Sequence, residues 1–525
     1  MTKQSATPLE LQKILIDHLQ NRHCFDHEIL QFQIIETHIS WVVLTGHYAY
    51  KIKKSINFGF LDYSTLEKRK TQCEKELRLN RRTSPEIYIE VVSVGGTVTK
   101  PLISSKPTLE YLLKMHQFPQ HSLLSHIVIT QKFCDQHAIS LAQILAQFHS
   151  KIEIASSHSV YGDSSQIITP IRENFSQIRA HIDNPQLLER LLKIEIKTEQ
   201  QFQYLAPYFI ERKQNGYIRD CHGDLHLNNI FLVNEQPRLF DCIEFNPALR
   251  IIDVMSELAF LVMDLEEHGE TLRANLLLNR YLEISGDYEG VRLLPFYLCY
   301  RAMVRAKVTI LQLKQSDIVT TPNITTPDEF NRYINMAECY SVQQDPQIII
   351  THGLSGSGKT TITTKLMQQL GAIRIRSDIE RKRLHGLTPD EESGLLNIYT
   401  DSASLRTYQQ LAKQASAIIA GNYPVIIDAT FLKQSERERF HILAEELKVS
   451  FTILAIEAPV ETLQKRIKER IISGKDASEA DLNVLKWQQK HCQPLSKNER
   501  PHTITINSES TSSVEAAYNQ LSTTT

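Results

Sequence analysis

Residues 353–361 read GLSGSGKTT, a glycine-rich stretch that follows an apolar run and precedes a helical pattern. The stretch satisfies the pattern G-x-x-x-x-G-K-[ST] in full, with Gly353, Gly358, Lys359 and Thr360 at the required places. Glycines let successive backbone N–H groups point inward around an anion, and the start of the following helix adds its positive dipole end. The sequence therefore predicts a phosphate-binding loop between a strand and a helix, which needs an α/β sheet around it.

We expect this loop to bind ATP together with Mg²⁺. The ammonium group of Lys359 would hold the β and γ phosphates, and the hydroxyl of Thr360 would be a ligand of the metal ion. The candidate nucleotide-binding residues are the nine of the loop, namely Gly353, Leu354, Ser355, Gly356, Ser357, Gly358, Lys359, Thr360 and Thr361.

Short apolar or β-rich segments alternate with helical stretches around and after this loop. They are QIIITHG (347–353), AIRIRSD (372–378), VIIDAT (425–430), FTILAIEAP (451–459) and HTITIN (502–507). Alternation of this kind indicates a parallel sheet with helices on both faces. The prediction for this half is a parallel αβα sandwich.

Two acidic residues come at the ends of predicted strands, where an open α/β sheet places its ligands. Asp428 suits a carboxylate that holds Mg²⁺ through water. Asp378 forms the pattern D-x-x-R with Arg381, in which the acid could deprotonate a hydroxyl while the cation balances charge. Either acid could instead cap the start of a helix, so both interpretations stay open.

The segment VETLQKRIKERII (460–472) predicts a helix with an apolar face and a basic face. Arg466 and Arg470 lie four residues apart, a spacing at which like charges repel unless an anion lies between them. They are candidate catalytic residues, and a solvated basic face is the alternative because the segment is basic all round. The expected apolar face consists of Leu463, Ile467 and Ile471.

From about residue 347 to 515 the chain resembles the P-loop kinases that include zeta-toxin-like, gluconate-kinase-like and polynucleotide-kinase-like proteins. The motifs that carry the resemblance are GLSGSGKTT, SDIERKRL, VIIDAT and RIKERI. The resemblance implies phosphoryl transfer to a hydroxyl of a small molecule, with the two arginines on a lid that stabilises the transferring group. It leaves the acceptor open, because the members differ widely in substrate.

A second motif, HGDLHLNNI, occupies residues 222–230 and fits the catalytic-loop pattern H-x-D-x-x-x-x-N. In this pattern Asp224 would accept the proton of an attacking hydroxyl, and Asn229 would be a ligand of Mg²⁺. His222 would brace the loop. Asp241, in RLFDCIEF, could bring a second carboxylate to the same metal ion. Together these residues predict one further phosphoryl-transfer site.

Residues 25–310 resemble the aminoglycoside phosphotransferase and choline-kinase-like branch of the protein-kinase-like fold, on the strength of this motif and the later acid. The resemblance implies a bilobal fold in which a small β lobe precedes a large helical lobe. Strand-like segments at 40–54 and 87–96 precede long helical patterns, as such a fold requires. By the same likeness Asp253 braces the loop.

The resemblance further implies an ion pair between a strand lysine and a helix glutamate that orders the nucleotide phosphates. Lys51 is the first candidate, with Lys53 as its competitor, and Glu76 is preferred over Glu74. The stretch LEYLLKM (109–115) would be the hinge against which adenine lies. Because no G-x-G-x-x-G precedes Lys51, a kinase-shaped module without turnover is the alternative.

The length of 525 residues exceeds one ordinary hydrophobic core and predicts more than one domain. A Thr- and Pro-rich stretch, QSDIVTTPNITTPDEF, separates the two patterns and is typical of a domain connection. We therefore divide the chain into a kinase-like domain at 1–335, a linker at 336–346 and a P-loop domain at 347–525.

Composition limits the classes of binding partner and the cellular compartment that we expect. The 58 Lys and Arg against 60 Asp and Glu give a net charge of -2, which argues against extended nucleic acid as a partner. No apolar run of membrane length and no signal peptide is evident, so we expect no membrane association. The eight cysteines are scattered without a CxxC pair, which favours a reducing cytoplasm. Oligomeric state is left open.

The preferred interpretation is a bifunctional ATP-dependent phosphotransferase with two Mg²⁺ and ATP sites and small-molecule hydroxyl acceptors. In one alternative the N-terminal module is a non-catalytic docking domain of a regulatory ATP-binding protein. In another the N-terminal module is the kinase and the P-loop is a nucleotide-dependent gate.

Overall fold

The computed structural model describes residues 7–59, 61–315, 327–342, 344–389, 391–394, 398, 400–473 and 478–522. The chain forms two compact units. The first contains Met1–Phe133, Lys151–Gly162 and Lys213–Glu257, and the second contains Cys134–Ser150, Asp163–Arg212 and Leu258–Thr525.

The predicted linker at 336–346 stays a prediction. Helix Pro327–Tyr340 ends inside it, and residues 316–326 of the Thr- and Pro-rich stretch lie outside the described residues.

A six-stranded antiparallel sheet with strand order β1-β2-β3-β6-β4-β5 forms the first part of unit one. Its strands are β1 (Gln33–Glu36), β2 (Ser40–Leu44), β3 (Tyr48–Lys53), β4 (Tyr88–Thr97), β5 (Lys100–Ile103) and β6 (Thr108–His116). Helices α1 (Pro8–Leu19) and α2 (Leu66–Asn80) belong to the same unit. Both predicted strand segments, 40–54 and 87–96, contribute strands to this sheet. The likeness to the protein-kinase-like fold stays a prediction.

Helix α1 closes one side of this sheet. A capping box between Thr7 and Glu10 satisfies its first backbone N–H groups, and Pro8 suits the first turn. Its apolar face buries Leu15 and Leu19 in a core that also contains residues of β2, β3, β4 and β6. Burial of these side chains is what holds the helix on the sheet.

The stretch that the resemblance implied to be a hinge, residues 109–115, is part of strand β6. The strand pairs with β3 on one side and with β4 on the other. A strand paired on both edges uses its backbone N–H and C=O groups within the sheet. Residues 109–115 therefore form a central strand of the sheet, and the expectation that this stretch lies against adenine stays a prediction.

The rest of unit one carries the second predicted motif. Strands β7 (Ile218–Asp220) and β10 (Ile251–Asp253) pair antiparallel, and β8 (Ile230–Val233) pairs with β9 (Gln236–Leu239). Asn234 and Glu235 join β8 to β9 with positive φ angles of 49° and 61°, as a tight two-residue hairpin requires. Helix α3 (Leu124–Ile129) also belongs to this unit.

Unit two contains a five-stranded parallel sheet with order β12-β13-β11-β14-β15, which confirms the predicted parallel α/β sheet. Its strands are β11 (Gln347–His352), β12 (Ile373–Arg376), β13 (Val425–Asp428), β14 (Ser450–Glu457) and β15 (Thr503–Asn507). The sheet is accompanied by α11 (Lys359–Leu370), α12 (Ser377–Leu384), α13 (Asp401–Ala420), α14 (Gln434–Leu447), α15 (Val460–Ser473), α16 (Leu482–His491) and α17 (Thr511–Ser522).

The central strands of this sheet are continuous apolar runs. Ile348, Ile349 and Ile350 in β11 are fully buried, as are Ile426 and Ile427 in β13. Runs without alternation are expected where both faces of a parallel sheet are covered by helices.

Other helices lie in unit two wholly or for most of their length. They are α4 (Asp135–Lys151), α5 (Ser164–Arg179), α6 (Pro185–Gln214), α7 (Val254–Glu267), α8 (Thr271–Ser285), α9 (Leu294–Gln315) and α10 (Pro327–Tyr340). Over the parts of the chain that the structure describes, none of the helices has the length and apolar character needed to span a membrane.

Side chains of helix α8 form hydrogen bonds with the backbone at β12, which is an edge strand of the parallel sheet. The Asn279 amide donates to Ala372 O at 3.0 Å and accepts from the Arg374 backbone N–H at 2.7 Å. Asn275 donates to Gln368 O at 2.9 Å, and Glu283 forms an ion pair with Arg374. An edge strand exposes unpaired backbone groups, so a side-chain amide substitutes here for a missing strand.

We predict that Asn279→Ala destabilises unit two by about 2 to 4 kcal/mol, because it leaves two buried backbone groups unpaired. Hydrogen exchange of a peptide covering β12, followed by mass spectrometry, would show the loss as faster exchange. Asn275→Ala removes one contact and should cost about 1 kcal/mol. Equal exchange in the two variants would contradict the pairing role of Asn279.

Glu266, near the end of α7, accepts a hydrogen bond from the Tyr340 hydroxyl. Burial raises the pKa of Glu266 to about 7, against a smaller lowering by that hydrogen bond. Between pH 4.5 and 7 the folded chain therefore keeps a proton that the unfolded chain has lost. The free energy of unfolding must fall as pH rises through this window.

We predict that Glu266→Gln removes this fall in the free energy of unfolding, which amounts to about 1 to 3 kcal/mol. The variant should be more stable than the wild type at pH 7.5 and differ little at pH 4.5. Urea unfolding midpoints at the two pH values would measure this. A variant less stable than wild type at both would exclude a buried protonated carboxyl.

Candidate functional site

The glycine-rich loop connects β11 to α11, and its neighbours leave no space for side chains at two positions. A Cβ atom at Gly353 would lie 2.6 Å from Ile456 O, and one at Gly356 would lie 2.7 Å from Leu463 O. Gly356 and Gly358 also have φ angles of 83° and 91°, which L-residues rarely adopt. Glycine is therefore required by both conformation and packing.

The donors of this loop fit an anion. Lys359 Nζ donates to the carbonyl oxygens of Gly353 and Leu354 at 3.0 and 2.9 Å, so its ammonium group lies across the loop. The Ser357 hydroxyl is buried and has no hydrogen-bond partner among the described residues. A buried hydroxyl without a partner is costly, and Ser357 itself lies outside the lining of the cavity beside the loop.

Asp428 ends β13 beside the start of α11. Thr363 Oγ1 lies within hydrogen-bond distance of Asp428 Oδ2, at 3.3 Å, and of Thr360 O, at 3.2 Å, and its single hydrogen donates to one of the two. The Arg374 guanidinium also donates to Thr360 O, at 3.0 Å. Hydroxyl and carboxylate oxygens of this kind are the ligands that Mg²⁺ prefers. The residues present therefore fit a magnesium ion held near Thr360 and Asp428.

A cavity of about 1670 Å³ lies next to the loop. It brings together most of the candidate residues of the C-terminal half, while Gly353, Leu354 and Ser357 lie outside its lining. The candidate residues that line it are Ser355, Gly356, Gly358, Lys359, Thr360, Thr361, Asp378, Arg381, Asp428, Arg466 and Arg470.

Asp378 lies in the first turn of α12, two residues after β12 ends. Arg381 is buried one turn later and donates to Ile398 O at 3.2 Å and to Ser404 Oγ at 3.1 Å. Its guanidinium is therefore held against α13. Asp378 borders the cavity and stays the candidate base of this site.

The two arginines of α15 contact carbonyl groups. Arg466 donates to Ser357 O at 3.2 Å and to Ser508 Oγ at 2.8 Å, and Arg470 donates to Ala480 O. Arg466 thus supports the loop from its carbonyl side. The expected apolar face ends at Ile467, because Ile471 is 58% exposed, which corrects the sequence interpretation for that residue.

Gln488 is a contact of the loop that sequence reasoning missed. Its side-chain oxygen accepts the Ser355 backbone N–H at 2.8 Å, and the residue is buried in α16. No signal in the sequence marked this contact, because it joins residues that are 133 positions apart.

Unit one brings the other candidate residues together around a carboxylate. Glu76 Oε1 binds Lys51 Nζ at 2.7 Å, and Glu76 Oε2 binds Lys53 Nζ at 2.6 Å. Lys51 also forms an ion pair with Asp241, and Lys53 forms one with Glu244. Both lysines share Glu76, whereas Glu74 is exposed and lies 3.9 Å from Lys70.

The ammonium groups of Lys51 and Lys53 have little exposure to water and lie beside three carboxylates. Removing these charges from water costs free energy, which their pairing must offset. Burial alone lowers the pKa of Lys51 and Lys53, but the facing carboxylates outweigh it and hold each pKa well above its ordinary value. Both lysines are therefore charged. Lys53, the competing candidate from the sequence, is only 2% exposed, and Glu244 could not be assigned from the sequence alone.

The loop at 222–230 folds around Asp224. Asn229 Nδ2 donates to Asp224 O at 2.9 Å and to Asp224 Oδ2 at 3.1 Å. His222 donates through Nε2 to Phe240 O at 2.8 Å, and burial lowers its pKa, which keeps it neutral. The Phe240 N–H in turn donates to Asn229 O at 3.0 Å, which puts Asp241 next to this loop.

Glu257 supports this loop and was missed by sequence reasoning. Its carboxylate accepts the backbone N–H of His222 at 2.8 Å and that of Gly223 at 2.7 Å, and it is buried. Asp253, the residue expected to brace the loop, accepts the Met255 N–H at 2.8 Å at the start of α7. No local signal marked Glu257, because its two backbone partners lie 35 and 34 residues before it in the sequence.

The family model described as AAA domain matches residues 348–495. The match runs from β11 to just after α16 and includes the loop, Asp378 and Asp428. The C-terminal part of this chain is a P-loop domain. This confirms the P-loop part of the resemblance, while the aminoglycoside-phosphotransferase-like part stays a prediction.

The chain is also similar to uncharacterized proteins of Mycobacterium tuberculosis and Mycobacterium bovis. Each is 27% identical over 446 residues, which cover 84% of this chain and 87% of the relative. An alignment of that length includes much of the chain before the P-loop domain. The similarity therefore extends through both parts of the sequence.

Solved structures matched by the chain include a gluconokinase from Sinorhizobium meliloti, at 17% identity and a TM-score of 0.26, covering 34% of this chain and 95% of that one. Another is an APS kinase from Mycobacterium tuberculosis in complex with AMPPNP and APS, at 14% identity and a TM-score of 0.26. It covers 34% of this chain and 97% of that one.

We predict that Glu257→Ala loosens the 222–230 loop, because two buried N–H groups lose their acceptor at a cost of about 3 kcal/mol. Hydrogen exchange of the peptide containing His222 and Gly223 should accelerate. Glu257→Gln keeps one acceptor oxygen and should have roughly half the effect. Unchanged exchange in Glu257→Ala would show that the carboxylate does not brace the loop.

Proposed function

We propose that the chain is an ATP-dependent phosphotransferase whose P-loop domain transfers the γ-phosphoryl group of ATP to a hydroxyl of a small molecule. One observation carries the proposal: the phosphate-binding loop, Asp428 and Asp378 border one cavity. The loop fits the phosphates, Asp428 fits the metal ion and Asp378 offers a base. These are the parts that phosphoryl transfer needs.

The proposed reaction assigns a task to each of these groups. The backbone N–H groups of the loop bind the β and γ phosphates, and Lys359 exchanges its carbonyl contacts for phosphate oxygens. Asp378 accepts the proton of the acceptor hydroxyl, whose oxygen forms a bond to the γ phosphorus. The bond from that phosphorus to the β–γ bridging oxygen breaks, and its electron pair leaves on ADP.

Thr360 and Asp428 would hold Mg²⁺, which supplies positive charge against the phosphate oxygens when it is bound. Arg466 keeps the loop in shape through its contact with Ser357 O, and Arg470 borders the same cavity. Positioning and charge stabilisation account for the reaction, and no covalent intermediate with the chain is needed.

We propose a second phosphoryl-transfer site in unit one, which would make the chain bifunctional. The observation in its favour is the contact of Lys51 with both Glu76 and Asp241, together with the Asn229 hydrogen bonds to Asp224. Asp224 would act as the base there, and Asn229 and Asp241 would hold Mg²⁺. Lys51 would leave Asp241 for the phosphates.

The regulatory alternatives differ from this proposal in which site turns over. A docking role for the N-terminal module leaves the P-loop as the one source of activity. A gating role for the P-loop leaves the N-terminal site as the source. Variants of the full chain that disable one site at a time separate the three cases.

We predict that Lys359→Ala and Asp224→Asn each remove part of the ATP turnover, measured as ADP release with a panel of sugars, aminoglycosides, nucleosides and nucleotide sugars. Each variant should lower kcat at its own site by about 100-fold or more. Lys365→Ala, an exposed lysine of α11, is the matched control and should leave turnover unchanged.

The outcomes distinguish the alternatives. Complete loss in Lys359→Ala with full activity in Asp224→Asn supports the docking role, and the reverse result identifies the N-terminal site as the kinase. Turnover that survives in the double variant would refute phosphotransfer at these residues. So would a folded full-length chain without Mg²⁺-dependent affinity for ATP or GTP in calorimetry.

A further inference from the structure

Helix α16 turns an aromatic face toward the cavity of the P-loop domain. We propose that Trp487 and His491 form a platform on which the base of a nucleoside or nucleotide acceptor stacks. This inference rests on the proposed phosphotransferase function and specifies the acceptor class of that site.

Buried contacts with α15 and with the phosphate-binding loop anchor the helix. Leu485 is buried in a cluster with Leu463 and Ile467 of α15, against which Leu354 of the loop also packs. Gln488 accepts the Ser355 backbone N–H and so ties the helix to the loop. A platform on α16 therefore keeps a fixed position relative to the phosphate-binding loop.

The residues on the cavity side follow helical spacing. Val484, Trp487 and His491 lie three and four residues apart, so they share one face, and all of them line the cavity. The rings of Trp487 and His491 stack with centroids 4.4 Å apart and an interplanar angle of 19°. Each ring therefore covers one face of the other, and a base in the cavity would stack on the outer face of the indole.

Trp487 is 52% exposed, unlike Trp41, the other tryptophan of the chain, which is buried. A half-exposed indole at the wall of this cavity is not needed for the core, because Leu485 already anchors the helix. A planar base can lay its whole π face on the indole, and stacking of this kind is a common means by which proteins hold bases. The surface therefore favours a base.

The size of the cavity leaves room for an acceptor beside ATP. Ligand pockets usually measure about 300 to 1,000 Å³, and this cavity of about 1670 Å³ is larger. The loop occupies one part of the lining, and Asp378, Lys433 and the aromatic platform occupy others. Lys433, at the start of α14, could bind a phosphate of a nucleotide acceptor.

The first test uses Trp487 as the reporter. In a Trp41→Phe chain, Trp487 is the sole tryptophan, and Mg²⁺ with tripolyphosphate can fill the loop without adding a base. Adenosine, cytidine and their monophosphates should quench its fluorescence in a saturable way, and gluconate and glucose should not. Quenching by none of the base-bearing compounds, or only by sugars, would overturn the inference.

The second test uses the wild-type background, so it does not depend on the Trp41 substitution. Trp487→Leu should raise the acceptor KM about tenfold, from the range of base–aromatic stacking, with little change in the Kd for ATP. Trp487→Phe keeps a ring and should restore most of the affinity. Lys490→Ala, exposed on the same helix and outside the cavity lining, should change neither constant.

The two proposals fail in different ways. If Mg²⁺-dependent ATP binding is absent, the phosphotransferase proposal itself fails. If ATP binds and its γ-phosphoryl group is transferred, two results would refute only the platform. One is an unchanged acceptor KM in Trp487→Leu, and the other is an acceptor that lacks a base. If the Phe variant loses as much as the Leu variant, the role of Trp487 is structural and the inference is also refuted.

Discussion

The close backbone packing of the glycine-rich loop is the constraint on which the P-loop domain depends. Gly353 lies against a carbonyl of β14, and Gly356 lies against a carbonyl of α15. Arg466 and Gln488 then hold the loop through Ser357 O and the Ser355 N–H. The loop held in this way borders the cavity, where an anion can bind.

A different physical logic governs the cluster in unit one. Charges buried together are expensive to desolvate, and only mutual pairing makes them tolerable. Glu76 meets this requirement by giving one oxygen to Lys51 and the other to Lys53. A cluster of this kind is poor evidence that these residues stabilise the fold, because well-packed apolar residues would cost less free energy. It is good evidence for a functional role of the charged groups.

Helix α8 shows why domain boundaries drawn along the sequence and the compact units of the structure need not agree. The helix precedes residue 335, yet Asn279 pairs with the edge strand β12 and Glu283 with Arg374, whose guanidinium contacts Thr360 O. A chain of hydrogen bonds therefore joins a helix of the sequence's first part to the predicted magnesium ligand. The edge of a parallel sheet needs such cover, and here distant residues provide it.

The sequence by itself determined the elements whose physics is local. The loop 353–361 needs glycines at fixed positions, and the buried parallel strands need continuous apolar runs, so both could be recognised from order and composition. Asp378 and Asp428 followed from the same reasoning, since strand ends define where a sheet binds ligands. Tertiary structure alone decided the partners of the loop and of the buried charges. Gln488, Glu257 and Glu244 reach their contacts across long stretches of chain, and long-range packing leaves no periodic signal in the sequence.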